Sequence, residues 1–230
     1  MRVLSVTHGP SVPGGVFDEV VLEAGHELER WVVPLGGAPQ PARSYDAIMV
    51  FGGSMHPDQD VQHPWLEREE EFLREVLAED VPVVGVCLGA QMVARSADAP
   101  VRPAPAPEIG WFDVELTPAG RDDPVLGVLP ARTDTFQWHS YTFDVPPHGI
   151  ELARSALCTQ AFRVARRAWG IQFHSEVTLP MVEAWIVQEQ DELPLEPEEF
   201  RLETERKIAD WNGHGRRLCG AFLEAAGETA

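Results

Sequence analysis

The feature that most constrains this chain is an apolar run, residues 81–86, that breaks straight into Gly85-Val86-Cys87-Leu88-Gly89-Ala90-Gln91. A short apolar run bounded by glycine reads as a buried strand, and the residues after it suit a helix, so Cys87 stands on a strand-to-helix corner. Glycines on both sides permit a tight or positive-φ backbone that a Cβ resists. The helix start adds unpaired N–H donors and the positive end of a dipole. A thiolate nucleophile and a developing oxyanion are the species such a corner suits. A buried structural cysteine beside packing glycines is the competing reading, and other residues must decide between the two.

Strand candidates near 2–7, 27–33, 47–51 and 82–86 alternate with helical segments near 16–24 and 64–78. This alternation predicts a three-layer, doubly wound α/β fold of flavodoxin-like type, a mostly parallel open sheet with helices on both faces. Four prolines between 99 and 107 forbid a regular helix and predict an extended crossing, a connector and not a domain boundary. Shorter strands are expected at 111–116 and 135–143, with a return to the sheet at 169–173. A helix over 179–190, a proline-broken acidic stretch over 191–199 and a terminal helix with Leu202, Ile208, Leu218 and Phe222 on its apolar side complete the chain. At 230 residues and 44% hydrophobic, the chain reads as one domain over 1–230, with the helical segment from about 179 to 230 packed on it.

The second chemical element lies far downstream, where Ala168-Trp169-Gly170-Ile171-Gln172-Phe173-His174-Ser175-Glu176 delivers a histidine and an acid two residues apart. If the strand continues that far, its period of two puts His174 and Glu176 on one side, so the carboxylate holds an imidazole that takes the Cys87 proton. The third is the strand 45–51 ending in Gly52-Gly53. At the carboxyl end of a strand in an open α/β sheet, such a turn lines the ligand crevice, so the Gly53 and Leu88 amides can together polarise a carbonyl attacked by Cys87.

Composition excludes several classes. The net charge of −19, from 37 acids against 18 bases, opposes binding to nucleic-acid phosphates or anionic membranes. No apolar stretch reaches membrane-spanning length, and residues 1–7 read as an opening strand without a cleavage region. Three well-separated cysteines form no disulfide framework and no paired-ligand zinc motif, which fits a reducing cytoplasm; Cys158 and Cys219 read as structural. The acidic cluster Glu67-Arg68-Glu69-Glu70-Glu71 reads as a solvated helix face. The remaining histidines are scattered, without a pair at metal-ligand spacing, and His139 is the one placed near the candidate site.

These elements, in this order, resemble the class I glutamine amidotransferase family, most closely stand-alone relatives of the guanylate synthase amidotransferase domain. Pro64-Trp65-Leu66, Glu108-Ile109-Gly110-Trp111 and the stretch Gln137-Trp138-His139-Ser140-Tyr141 carry the resemblance over most of the chain. It implies Cys87 as nucleophile, His174 as general base and acid, Glu176 as its orienting partner, and Gly53 with Leu88 as the oxyanion hole. It also implies a substrate-binding set of Gly52, Gln91, Ser140 and Tyr141, the last two through backbone groups. Ser175 stands where the family often has proline, and Trp138-His139-Ser140-Tyr141 replaces its usual His-Gly-Asp segment, which alters the substrate wall.

The chemistry implied is hydrolysis of the γ-amide of glutamine or a γ-glutamyl compound through a thioester on Cys87, without metal or organic cofactor. The chain carries neither a Gly-x-x-x-x-Gly-Lys loop nor a Ser-Gly-Gly-x-Asp-Ser stretch, so it holds no ATP-dependent synthetase of those kinds. Either a synthetase subunit is its partner, or it is a stand-alone γ-glutamyl peptide hydrolase. A non-catalytic binding or regulatory module on the same fold is the alternative from another class.

Overall fold

The computed structural model describes residues 1–228, so the last two positions of the expected 1–230 domain lie outside the described residues. The first half runs β1 (Arg2–Thr7), α1 (Gly15–Glu23), β2 (Glu27–Val32), β3 (Ala47–Val50), α2 (Trp65–Ala78), β4 (Val83–Val86) and α3 (Leu88–Ser96). The second half holds β5 (Val101–Leu116), the single-turn α4 (Pro118–Arg121), β6 (Arg132–Phe143), β7 (Ile150–Arg154), β8 (Thr159–Val164) and β9 (Ala168–Ile171). Helices α5 (Leu179–Gln188) and α6 (Pro197–Gly227) follow.

All nine strands join one sheet in the order β2-β1-β3-β4-β9-β8-β7-β5-β6. The first five pair in parallel. From β9 outward the pairing is antiparallel, so the doubly wound half carries an antiparallel extension. Strands β3, β4 and β9 are buried at every position. Parallel strands covered on both faces need side chains that bury on both, which is why these runs are continuously apolar rather than alternating.

The period of two sorts those side chains between two cores. Met49, Val84, Val86 and Trp169 pack with Phe17 of α1, Val182 of α5 and Phe222 of α6. Ile48, Val50 and Val83 pack with Leu73 of α2 and Met92 of α3 on the opposite face. Helix α6 presents Phe200, Thr204, Ile208, Trp211, Gly215, Leu218 and Phe222 inward, at steps of three and four. Leu202, expected on that side, is 42% exposed, because two residues from Phe200 is over half a turn away.

The proline-rich crossing expected over 99–107 is a strand of the sheet. Strand β5 pairs with β6 from Val101↔Phe143 to Pro103↔Tyr141, slips, and resumes at Glu108↔His139. The slip falls where Pro105 and Pro107 have no N–H to give the ladder. No helix of the described residues is long and apolar enough to cross a membrane.

The order β2-β1-β3 reverses direction between β1 and β3, which makes that gap a topological switch point. The loops after β1, β3, β4 and β9 leave the parallel half at its carboxyl edge, and they carry His8, Gly52, Cys87 and His174.

Candidate active site

Cys87 holds φ 53° and ψ −111° at the start of α3 and is 5% exposed. Its N–H donates to the Ile171 carbonyl at 2.8 Å, and its own carbonyl accepts from the Gln91 N–H at 3.1 Å, so the corner is tied to β9 behind and to the helix ahead. The positive φ falls on the cysteine itself and not on its glycines, as the sequence alone allowed. The glycines serve close approach instead. A Cβ on Gly85 would lie 2.4 Å from the Gly89 carbonyl oxygen, and one on Gly89 would lie 2.1 Å from that of Val50.

His174 and Glu176 are 2% and 1% exposed, and Nδ1 of the imidazole lies 2.8 Å from Glu176 Oε1. Alternation along a strand is not what joins them, since β9 ends at Ile171 and residues 172–176 form an irregular loop. The loop is held from outside. The His174 N–H donates to the Phe136 carbonyl at 2.8 Å, and the His174 carbonyl accepts from Trp211 Nε1 at 2.8 Å. Asn212 donates to the Val177 carbonyl at 2.6 Å, and the Glu176 carbonyl accepts from the Val16 N–H at 2.9 Å.

Burial opposes a charge on His174, yet the neighbouring Glu176 carboxylate and Cys87 outweigh it and hold the imidazole pKa well above its ordinary value. The edge of Trp185 covers the ring, centroids 4.9 Å apart. With Nδ1 committed to Glu176, the other nitrogen is the one free to exchange a proton with Cys87.

Gly52 is wedged between the two: a Cβ there would sit 3.1 Å from His174 Cε1 and 3.7 Å from Cys87 Cβ. Gly53 and Leu88 border the cavity in front of the thiol, and Leu88, as the first residue of α3, has no intrahelical acceptor for its N–H. Gln91 is 3% exposed and its amide donates to the Tyr141 carbonyl at 3.0 Å and to Gln172 Oε1 at 3.2 Å. Ser140 and Tyr141 also border the cavity. The Tyr141 carbonyl accepts a second bond, from His139 Nδ1 at 2.9 Å, so it is engaged within the protein rather than free.

Several residues enter the site that the sequence did not single out. His8, from the loop after β1, is 5% exposed and bridges the Gly52 carbonyl at 2.9 Å and Glu69 of α2 at 2.9 Å. Glu69 is fully buried and corrects the reading of residues 67–71 as a solvated face: one residue of that run points inward. The available signal was position, because His8 follows β1 at the edge where ligand loops gather. Trp138 and Trp185 line the cavity beside His174, and Trp138 Nε1 donates to Glu189 Oε2 at 2.7 Å.

Behind the wall, Glu108, His139 and Cys158 bring possible metal-ligating atoms within 4.8 Å of one another, a grouping that sequence spacing did not reveal. Glu108 Oε2 lies 3.2 Å from His139 Nε2 and accepts from Gln160 Nε2 at 2.7 Å and Cys158 Sγ at 3.4 Å. The Gln160 amide thus donates to two of the three groups, Glu108 and, at 3.5 Å, Cys158. Burial pushes the Cys158 thiol up to about 11, which suits a protonated donor. The set reads as a polar buttress that fixes the strand carrying Trp138 to Tyr141.

The cavity in front of Cys87 measures about 690 Å³. Among the described residues no lysine or arginine borders it, whereas Glu189 and Glu192 do.

The carboxyl edge of the parallel half of an α/β sheet thus gathers a cysteine held at positive φ and a buried His-Glu pair. The family model for glutamine amidotransferase class-I matches residues 21–189, and the chain belongs to that family. The glutamine amidotransferase-like protein YfeJ of Salmonella typhimurium is 28% identical over 198 residues, covering 84% of this chain and 83% of its own. A glutamine-hydrolyzing GMP synthase subunit of Saccharolobus solfataricus is 23% identical, covering 71% of this chain and 86% of its own. The crystal structure of a glutamine amidotransferase from Thermotoga maritima superposes with a TM-score of 0.88 at 29% identity, covering 97% of this chain and 98% of that one.

Proposed function

We propose that this protein hydrolyses the γ-amide of glutamine or of a larger γ-glutamyl compound. In this reading Cys87 attacks the γ-carbonyl, and His174 takes the thiol proton and passes it to the departing ammonia or amine. The bond to nitrogen breaks and a γ-glutamyl thioester remains on Cys87. Water, deprotonated by His174, then releases glutamate and restores the thiol. Glu176 orients the imidazole and stabilises its charged form, and the Gly53 and Leu88 amides receive the oxyanion.

The observation that carries this proposal is the buried His174–Glu176 contact of 2.8 Å beside a cysteine held at positive φ. Gly52, Gln91, Ser140 and Tyr141 are assigned to the substrate wall, with Gln91 acting by bracing Tyr141. The same proposal takes 1–230 as one amidotransferase-like domain, with the helical segment from about 179 braced against the catalytic loop, working in the cytoplasm.

A cavity of about 690 Å³ favours a γ-glutamyl compound over free glutamine. Pockets of about 300–1,000 Å³ enclose ligands several times the size of an amino-acid side chain. A synthetase partner, as the name of the Saccharolobus relative suggests, is the second reading.

The test is glutamate release from glutamine and from a panel of γ-glutamyl peptides and amines, with Cys87→Ala as control. Cys87-dependent turnover of a γ-glutamyl compound by the isolated protein is the expected result. Turnover only after a synthetase is added establishes the partnered reading. No turnover with or without one, and a biological effect that survives Cys87→Ala, would establish a binding module instead.

A further inference from the structure

His8 and Glu69 bury an ionisable pair that the mechanism above does not use. Both side chains are 0% exposed, with His8 Nε2 2.9 Å from Glu69 Oε2. The other ring nitrogen, Nδ1, lies 2.9 Å from the Gly52 carbonyl oxygen. A carbonyl only accepts, so Nδ1 donates to Gly52, and the Glu69 carboxyl on the other nitrogen outweighs burial and raises the His8 pKa above its ordinary value. Two apolar side chains of similar volume would fill this space without the desolvation cost of a polar, ionisable pair, so the pair is weak evidence for stability alone.

Geometry gives it a purpose. All described peptide bonds are trans, and in a trans peptide the carbonyl and the following N–H point in opposite directions. Fixing the Gly52 carbonyl on His8 therefore sends the Gly53 N–H away from His8. The Gly52 Cα faces His174 and Cys87 on that loop, and a Cβ on Gly53 would lie 2.8 Å from Leu88 Cδ2 and 3.0 Å from His8 Cβ. A peptide between two glycines has the widest backbone freedom available. Were it to flip, carbonyl lone pairs would replace the N–H donor in front of the thiol. The ring that prevents this is itself fixed, by Glu69 on α2 and by Trp65, stacked on it with centroids 5.5 Å apart.

We infer that His8 is the positioning residue of the oxyanion loop: anchored by Glu69, it locks the Gly52–Gly53 peptide so that the Gly53 amide faces the carbonyl attacked by Cys87. The inference rests on the functional reading above for the identity of that carbonyl. It extends the machinery from β3, β4 and β9 to β1 and α2, across the switch point of the sheet.

The experiment compares wild type, His8→Ala and His8→Asn, whose amide can donate to the Gly52 carbonyl as Nδ1 does. Three readouts are taken: kcat and KM for glutamate release, the rate of Cys87 alkylation by iodoacetamide, and the Gly53 amide signal in glycine-labelled protein. Alkylation displaces iodide at a saturated carbon and generates no oxyanion, so it reports the thiol without the hole.

The expected result for His8→Ala is a kcat about tenfold to a hundredfold lower, short of the roughly 10²–10³ lost when an oxyanion donor is removed outright. KM and alkylation stay near wild type, the Gly53 signal moves, and His8→Asn recovers most of both. If His8→Ala does not fold, Glu69→Gln, which keeps the volume and removes the charge, gives a smaller loss of kcat in the same direction. A wild-type kcat with an unmoved Gly53 signal in His8→Ala overturns the inference. So does a parallel fall of kcat and alkylation, which marks general damage. A wild type that turns over no γ-glutamyl compound with or without an added synthetase sinks the functional reading instead, and the Gly53 signal still decides whether His8 sets that peptide.

Discussion

Cys87 stores backbone strain where the chemistry is proposed to occur, at φ 53° and ψ −111°. A side chain in such a region costs of order 1–3 kcal/mol, while glycine avoids that cost and loses part of the gain to its own entropy. Cys87→Gly is therefore expected to unfold about 1 kcal/mol harder than Cys87→Ala, both being inactive, as denaturant titration would show. For Glu176→Gln, which keeps the shape and removes the charge that raises the His174 pKa, kcat is expected to fall on the order of 10²–10⁴-fold. His8 and His174 share a sign: burial lowers each pKa, and the adjacent carboxylates more than reverse it. A raised folded pKa means a stabilising contribution fully present below the ordinary value of 6.5 and lost as pH rises through the folded value. Melting temperature should thus decline on the alkaline side, and less steeply in His8→Asn. An unchanged slope in that variant would count against a charged His8. The strand-to-helix corner at Cys87 was legible in the sequence because glycine spacing is local, whereas Glu69 was misread because its neighbours are solvated and only the fold turns it inward.

Helix α6 decides how the loop carrying His174 and Glu176 is held, and its glycines separate local propensity from packing. Gly215 faces the loop: a Cβ there would lie 1.9 Å from the Ser175 carbonyl oxygen, whereas nothing lies within 4 Å of one on Gly220. Helix propensity alone favours alanine at both positions by about 1 kcal/mol. Gly220→Ala should gain close to that, and Gly215→Ala should instead lose about 1–3 kcal/mol through overpacking, a difference in sign that thermal melts resolve directly. Trp211→Phe removes the donor to the His174 carbonyl and leaves that buried oxygen unpaired, at a cost of about 1–3 kcal/mol. Because the same bond places His174, kcat should fall with it while KM holds. Among the elements themselves, β1 to β4, α1 and α2 were readable because burial on two faces and amphipathic periodicity leave strong local patterns. The strand character of 101–107 was not, since prolines say only that a segment is extended and cannot say what it lies beside.

At the scale of the whole molecule, charge and cavity act together. A net charge of −19 and an opening bordered by Glu189 and Glu192 with no described lysine or arginine set a negative field over the entrance. Burial, reinforced by Glu192, raises the Glu189 carboxyl pKa although its bond from Trp138 opposes the shift. Among γ-glutamyl compounds of equal size, those with a cationic amine as leaving group should therefore show a higher kcat/KM than those with an acidic one. Added salt should narrow the gap, and an equal or inverted preference at low salt would show that the field does not reach the substrate. The chain's sequence by itself determined the layered fold, the corner at Cys87, the His174–Glu176 pair and the glycine loop, because each is written in neighbouring residues or a short period. Only the tertiary structure decided that a loop rather than a strand joins His174 to Glu176, that α6 braces that loop, and that His8 and Glu69 stand behind the Gly52 carbonyl. Those contacts join residues 37 to 61 positions apart, and no local pattern encodes which distant backbone group a buried side chain will meet.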